Sequence, residues 1–240
     1  MPETNLINNW LFAAMSEADQ DALRPSLVRH AMTQGDVLFR AGDAPDVIHF
    51  PVSAQIANVM VFDTGESLAV STVGREGVTG LAAFMANEPV GWDAVAHVGG
   101  VVWSAPADAL RILAAASPDF AASLLRATHQ NQLEAHSQAI CATFHSAMPR
   151  LARWLLTLQE RTGLSSFTLT QDAFARLLGV QRTTIVDAMS SLKERGALAR
   201  KTRGRIVIKD RDALREAACA CHGRGQPFAK TEPIVVEALV

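Results

Sequence analysis

Residues 169–208 constrain this chain more than any other stretch. Leu169-Thr170-Gln171-Asp172 opens a short helix, with Thr170 as its N-cap and Asp172 in its first turn. Phe174, Leu177 and Leu178 share one face, Gly179 supplies a left-handed turn residue, and Val180 tucks under it. A second helix is expected from about Arg182 to Arg195, with Ile185, Met189 and Leu192 inward and Gly196 as its stop. Ala197-Leu198-Ala199-Arg200 and Arg205-Ile206-Val207-Ile208 then read as two strands around the turn Lys201-Thr202-Arg203-Gly204. A helix, a tight glycine turn, a second helix and a hairpin make a winged helix-turn-helix.

The charge distribution says what such a motif would meet. Residues 1–149 carry six Lys/Arg against fifteen Asp/Glu, whereas residues 150–225 carry fifteen against seven. The net charge of -2 therefore hides an acidic front half and a basic back half, and only the latter suits a polyanion. On the second helix, Thr183, Asp187 and Ser190 project away from the packed face, and Arg182 sits at the N-terminal tip. Arg182 can fork onto a guanine and Asp187 can accept from a cytosine amino group, so Arg182, Thr183 and Asp187 are the expected base contacts. Thr170, Gln171, Gln181 and Thr184 lie near helix N-termini and suit phosphate, as do Lys201, Arg203 and Arg205 on the wing.

The front of the chain is built differently. Leu6 to about Met32 reads as short helices on the spacing of Leu11, Phe12, Met15, Leu23, Leu27 and Val28. From Gly35 to about Trp103, short β-rich runs alternate with the turns Gly35-Asp36, Gly42-Asp43, Asp63-Thr64-Gly65 and Gly99-Gly100, the pattern of an antiparallel sandwich. A helix follows over Asp108 to Ala116, and Ser117-Pro118-Asp119 caps another that runs to about His145. One stripe of this long helix holds Phe120, Leu124, Ala127, Asn131, Glu134, Gln138, Cys141 and His145; a neighbouring one holds Leu125, Leu133 and Ile140. A long, half-polar helix needs a partner, and packing against its twin in a homodimer is expected, with Phe120, Leu124, Ala127, Asn131, Gln138 and Cys141 at the seam. Pro149 marks the next boundary, and a helix from Arg150 to about Arg161 ends at Gly163.

Gly179-Val180-Gln181-Arg182-Thr183-Thr184, Leu192 to Leu198 and Arg203-Gly204-Arg205-Ile206 resemble the winged domain of the Crp/Fnr family. Upstream, Gly35 to Asp43 and Val73-Gly74-Arg75-Glu76-Gly77-Val78 resemble its cyclic-nucleotide-binding sensor half. The resemblance implies an α+β chain: an N-terminal antiparallel β jelly roll over 1–116, a dimerisation helix over 117–147 and a winged helix-turn-helix over 148–222. The tail 223–240 follows. It also implies a transcription regulator that binds a palindromic operator in double-stranded DNA as a homodimer, with RNA polymerase as a candidate further partner.

The pocket departs from the family's pattern. Leu81 stands where the ribose-binding glutamate is expected in Thr79-Gly80-Leu81-Ala82, and no arginine occurs between Arg75 and Arg111. A buried cyclic phosphate would face Asp93 without a counter-charge, so cyclic AMP is not expected as ligand. Gly80, Leu81, Trp92, Asp93 and His136 are the pocket candidates, and the signal is left open. With no cysteine before Cys141, an N-terminal iron–sulfur cluster is not expected, and haem through His49, His97 or His136 is not expected either. Cys219-Ala220-Cys221-His222 offers two thiols and a histidine, which do not close a zinc site alone. Cys141 and His145 stand one turn apart on the long helix, where a site across a two-fold axis is conceivable. Both groups are read as structural, and no metal is expected.

Two other functions compete on residues. A sensing module acting through protein contacts rests on the apolar tail Ile234 to Val240. A cupin-like enzyme needs clustered ligands, and His49 and His97 are isolated, so no catalytic residue is expected. The first residues lack a basic, apolar leader and no run of about 18 apolar residues occurs, so a cytoplasmic chain without a membrane contact is expected.

Overall fold

A computed structural model describes residues 5–63, 67–200 and 205–223. Two short helices, α1 (Trp10–Ala13) and α2 (Glu17–Leu23), precede seven strands: β1 (Val28–Met32), β2 (Val37–Phe39), β3 (Val47–Pro51), β4 (Gln55–Val61), β5 (Ser67–Val73), β6 (Asp93–Val98) and β7 (Gly100–Pro106). Helix α3 (Leu81–Ala86) interrupts them between β5 and β6. The strands form two antiparallel sheets, ordered β1-β7-β3 and β2-β6-β4-β5, as a jelly roll requires. Between the sheets lies a core of small side chains, Ala54, Ile56, Ala94, Ala96 and Val102. Small residues let the sheets close tightly, and the turn into β7 shows it. A Cβ on Gly100 would stand 2.5 Å from the backbone nitrogen of Ala54.

Two expectations change here. Val28 to Met32 is a strand paired with β7, not the end of a helical segment. Leu27 and Val28 fit helical spacing by chance; β7 supplies hydrogen bonds that a local reading does not see. Leu81 to Ala86, read only as the site of a missing glutamate, is the helix α3. It starts at Gly80 in the left-handed region (φ +71°).

Helix α4 (Ala107–Ala116) leads to the long α5 (Pro118–Phe144), whose Ser117 side chain accepts from the Phe120 N–H. The amino-terminal half of α5 packs Phe120 and Leu124 onto a second core with Leu11, Phe12, Ile48, Phe50 and Leu110. The rest of the chain is α6 (Ala147–Thr162), β8 (Ser166–Phe167), α7 (Gln171–Leu178), α8 (Arg182–Glu194), β9 (Ile206–Val207) and α9 (Arg211–Ala217). Pro149 falls in the first turn of α6 instead of before it, where its missing N–H costs no hydrogen bond. The core of this module includes Trp154, Leu155, Phe174, Ile185 and Leu192. It also takes in Ala57 and Ala69 of the jelly roll, so the two modules share one apolar interior.

Candidate nucleic-acid interface and sensor cavity

Helix α7 begins where the Thr170 hydroxyl accepts from the Ala173 N–H at 3.1 Å, a cap worth about 1 kcal/mol. It ends at Gly179, whose φ of +61° only glycine adopts without strain and whose Cβ position lies 3.2 Å from the Leu68 side chain. The turn sets α8 so that Ile185, Ala188, Met189 and Leu192 are buried. Arg182, Thr183, Thr184, Val186, Asp187 and Ser190 are exposed on the opposite side. The first turn of α8 contains no acidic residue, and the Gln181 side chain makes no capping bond. Its free N–H groups therefore face solvent as a ready anion site. Arg182 is held loosely across the turn, 3.7 Å from Asp172 and 3.5 Å from Gln171, by contacts a base edge could replace. Thr170, Gln181 and Thr184 are exposed, and Gln171 is half-buried.

The two arms of the expected wing hairpin are paired, and a third strand joins them. Ile206 and Val207 pair with Phe167 and Ser166 on one side; on the other, Leu198 bridges Ile208, the Ala199 N–H donates to the Val207 carbonyl and the Lys209 N–H donates to the Ala197 carbonyl at 2.9 Å. A strand far back in the sequence, β8, thus adds to the side of Ile206–Val207 away from Ala197–Ala199, which a local reading does not see. Arg205 is exposed beside this sheet, while Lys201 and Arg203 lie outside the described residues.

A cavity of about 460 Å³ opens between β5, α3 and α5, lined in part by Asn58, Gly80, Leu81, Trp92, Asn131 and Glu134. Gly80, Leu81 and Trp92 sit where the pocket was expected. Asp93 does not: its carboxylate accepts from the Ala41 N–H at 2.9 Å and pairs with Arg40 at 3.3 Å. His136 is exposed on α5, and Ala135 lines the cavity in its stead. No Lys or Arg lines the cavity among the described residues, and Glu134 is the one acidic side chain among those that do. The Trp92 Nε1 and Asn58 Oδ1 atoms are buried there without partners among the described residues.

Glu134 also links the cavity to the winged module. Arg161 of α6, 4% exposed, meets Glu134 at 2.6 Å and Glu76 at 3.0 Å, and donates to the Thr72 hydroxyl at 2.7 Å. Arg75 in turn donates to the Arg161 carbonyl oxygen. Burial pushes the Glu76 carboxyl above its ordinary range, against the pull of Arg161. Burial also disfavours the Arg161 charge, but Glu134 and Glu76 together hold its pKa above the usual value. Thr72 and Glu134 are cavity walls, so a ligand there would touch residues bonded directly to the winged module. No sequence signal singled out this network, because its members come from β5 and the turn after it, α5 and α6.

The dimer stripe needs correction. Phe120 (1% exposed), Leu124 (0%) and Cys141 (2%) are buried within their own chain and cannot form a seam. Ala127 packs on the second core, Gln138 is half-buried, and Asn131 is exposed beside the cavity. The free apolar stripe is the neighbouring one: Leu125, Leu133 and Ile140, continued by Phe144, which is 76% exposed. Its spacing of seven to eight residues is that of a two-helix seam.

His49 on β3 and His97 on β6 belong to different sheets, so the described histidines assemble no cupin-type ligand set. The cysteines behave otherwise. Cys141 of α5 and His145, which caps its C-terminus, meet Cys219 and Cys221, which follow α9, within one chain. The expectation of two separate structural groups gives way to one intrachain cluster. His222, grouped with the cysteines on sequence, instead stands 3.5 Å from Glu160.

Residues 29–117 match the family model of the cyclic nucleotide-binding domain, and residues 149–217 that of the Crp-like helix-turn-helix domain. No curated protein matches the chain. Among solved structures, FixK2 from Bradyrhizobium japonicum superposes with a TM-score of 0.69 at 18% identity, over 81% of this chain and 98% of its own. A transcriptional regulator of the CRP family from Thermus thermophilus, TTHB099, gives 0.65 at 16% identity, over 79% and 96%. The c-di-GMP responsive regulator CLP from Xanthomonas campestris gives 0.64 at 14% identity, over 81% and 100%. A jelly roll that matches the cyclic nucleotide-binding domain, one long helix and a Crp-like helix-turn-helix are together the parts of a transcription regulator. The chain belongs to the Crp/Fnr family of such regulators.

Proposed function

We propose that two copies of this chain pair along α5 and read a palindromic DNA site in the cytoplasm, each placing α8 in the major groove. The observation that carries this reading is the division of α8: its apolar side chains are all turned into the core except Val186, and Arg182, Thr183 and Asp187 are exposed at its outer face. Those three residues read bases; Thr170, Gln171, Gln181, Thr184 and Arg205, with Lys201 and Arg203 of the wing turn, hold phosphate. The sensor half takes a ligand other than cyclic AMP. An uncharged molecule with an acceptor for Trp92 Nε1 and a donor for Asn58 Oδ1 fits the cavity, whereas a phosphate would meet Glu134 and no cation among its lining residues. RNA polymerase contact is part of the same reading and rests on the family alone.

Fluorescence anisotropy on the promoter of the chain's own operon tests it. Binding that weakens steeply with salt, and is lost when one half of a palindrome is scrambled, is the expected result. Binding to no palindromic fragment at low salt would sink the reading and leave protein contact as the output.

A further inference from the structure

The chain has three cysteines, and all three are buried together with the ring of His145 beside them. Their four ligand atoms lie within 4.8 Å of one another. The Cys141 and Cys219 sulfurs are 3.4 Å apart, and the Cys221 sulfur is 3.7 Å from His145 Nδ1. A tetrahedral ion with sulfur at about 2.3 Å and nitrogen at about 2.0 Å sets edges of about 3.8 Å for S···S and about 3.5 Å for S···N. The side chains therefore stand close to the corners of such a tetrahedron.

Buried thiols often serve as small apolar side chains, and that reading has to be met. Here the three cysteines form an apolar cluster of their own, separate from the three larger cores. Apolar packing gives no reason for an imidazole nitrogen to stand over a sulfur. A second observation points the same way. The Arg153 Nε is buried without a partner among the described residues, and Arg153 lines one cleft with Cys141. Three thiolates around a divalent ion carry one net negative charge, which that guanidinium would offset.

We infer that Cys141, His145, Cys219 and Cys221 form a mononuclear zinc(II) site that clips the end of the winged module to the last turn of the long helix. Three thiolates and one imidazole suit zinc and reject magnesium or calcium. Binding replaces the water around the ion and releases three thiol protons to solvent; no electron is transferred. Four protein ligands leave no open position, so the ion is structural. The clip spans the junction at His145–Ser146, between α5 and α6, from one side to the other. Occupancy thus fixes how the DNA-reading module sits on the dimer helix.

The test uses the full-length protein, purified under reducing conditions and desalted, with zinc measured by plasma mass spectrometry. One zinc per chain is expected, and Cys219→Ser should abolish it. Since that variant removes a buried group, His145→Gln is measured beside it. His145→Gln should keep the native circular dichroism spectrum and weaken zinc at least about tenfold against a chromophoric chelator. Cobalt(II) in place of zinc should give the visible bands of a tetrahedral thiolate site. Either of two results overturns the proposal: zinc that leaves thiol alkylation rates unchanged, or a Cys141–Cys219 disulfide in protein prepared with zinc present.

Discussion

Arg161 is buried where the winged module meets the sensor, and two carboxylates and a threonine hold it there. Taking the guanidinium out leaves Glu76 and Glu134 facing each other with no cation between them, which costs more than the pair itself contributes. Arg161→Ala should lower stability by about 3–5 kcal/mol in urea unfolding, far more than any exposed ion pair of the chain. The same reasoning gives a small structural effect at Arg182, where the side chain is exposed and its contacts are long. Arg182→Ala should leave the unfolding midpoint unchanged and cost about 1–3 kcal/mol of binding to the specific site only, read as a lost preference over scrambled DNA. Arg182 and its turn were legible in the sequence because a cap, a glycine and an apolar triplet are local signals. Arg161 was not: a buried arginine is recognisable only through partners 27 and 85 positions away in the chain.

Among the elements, α5 divides its work by stripe. One side fills the cores of its own chain with Phe120, Leu124 and Cys141, and the stripe through Leu125, Leu133, Ile140 and Phe144 is left exposed, where the proposed twin helix would pack. Ile140→Glu, on the 53% exposed position, should shift the protein from dimer to monomer in sedimentation velocity without unfolding the chain. A dimer that persists would place the seam elsewhere. Helical periodicity gave both stripes but no means of ranking them, since the sandwich claims one stripe and does so only in three dimensions. Strand β1 was misread for a related reason. Its side chains are mostly exposed at a sheet edge, so it carries little alternation, and its pairing with β7 supplies what its pattern does not.

At the scale of the whole molecule, two buried histidines, one of them at the joint between the jelly roll and the winged module, should make stability fall in acid. His97 of β6 stacks edge-on to Trp154 of α6, with ring centres 6.2 Å apart. Burial first, and then the charge of Arg176, pushes its pKa down to about 4. Burial and His30 lower His49 to about 4 as well. Both rings are neutral in the native chain, whereas the unfolded chain takes up protons below about 6.5, so the unfolded state binds more protons between these limits. Stability should therefore be full above about pH 6.5 and fall as the pH drops towards 4. His97→Phe should flatten part of that fall in thermal melts taken at pH 7 and pH 4.5. The cavity belongs to this scale too, because β5, α3 and α5 build it jointly. Isothermal titration with cyclic AMP should show no binding at micromolar concentration, and a micromolar affinity would overturn the reading of the pocket.

The sequence by itself determined the modules: a turn-punctuated β sandwich, a long capped helix, and a helix pair whose glycine turn and charge reversal mark a DNA reader. Each of these depends on spacing, capping and turn chemistry, which act within about one or two turns of chain. Only the tertiary structure decided which stripe of α5 is free, that Asp93 serves the Arg40 turn and not the cavity, that Arg161 bridges sensor to reader, and that four ligand atoms from two distant segments converge. Those are contacts between elements, and side-chain identity alone does not say which distant group will be opposite.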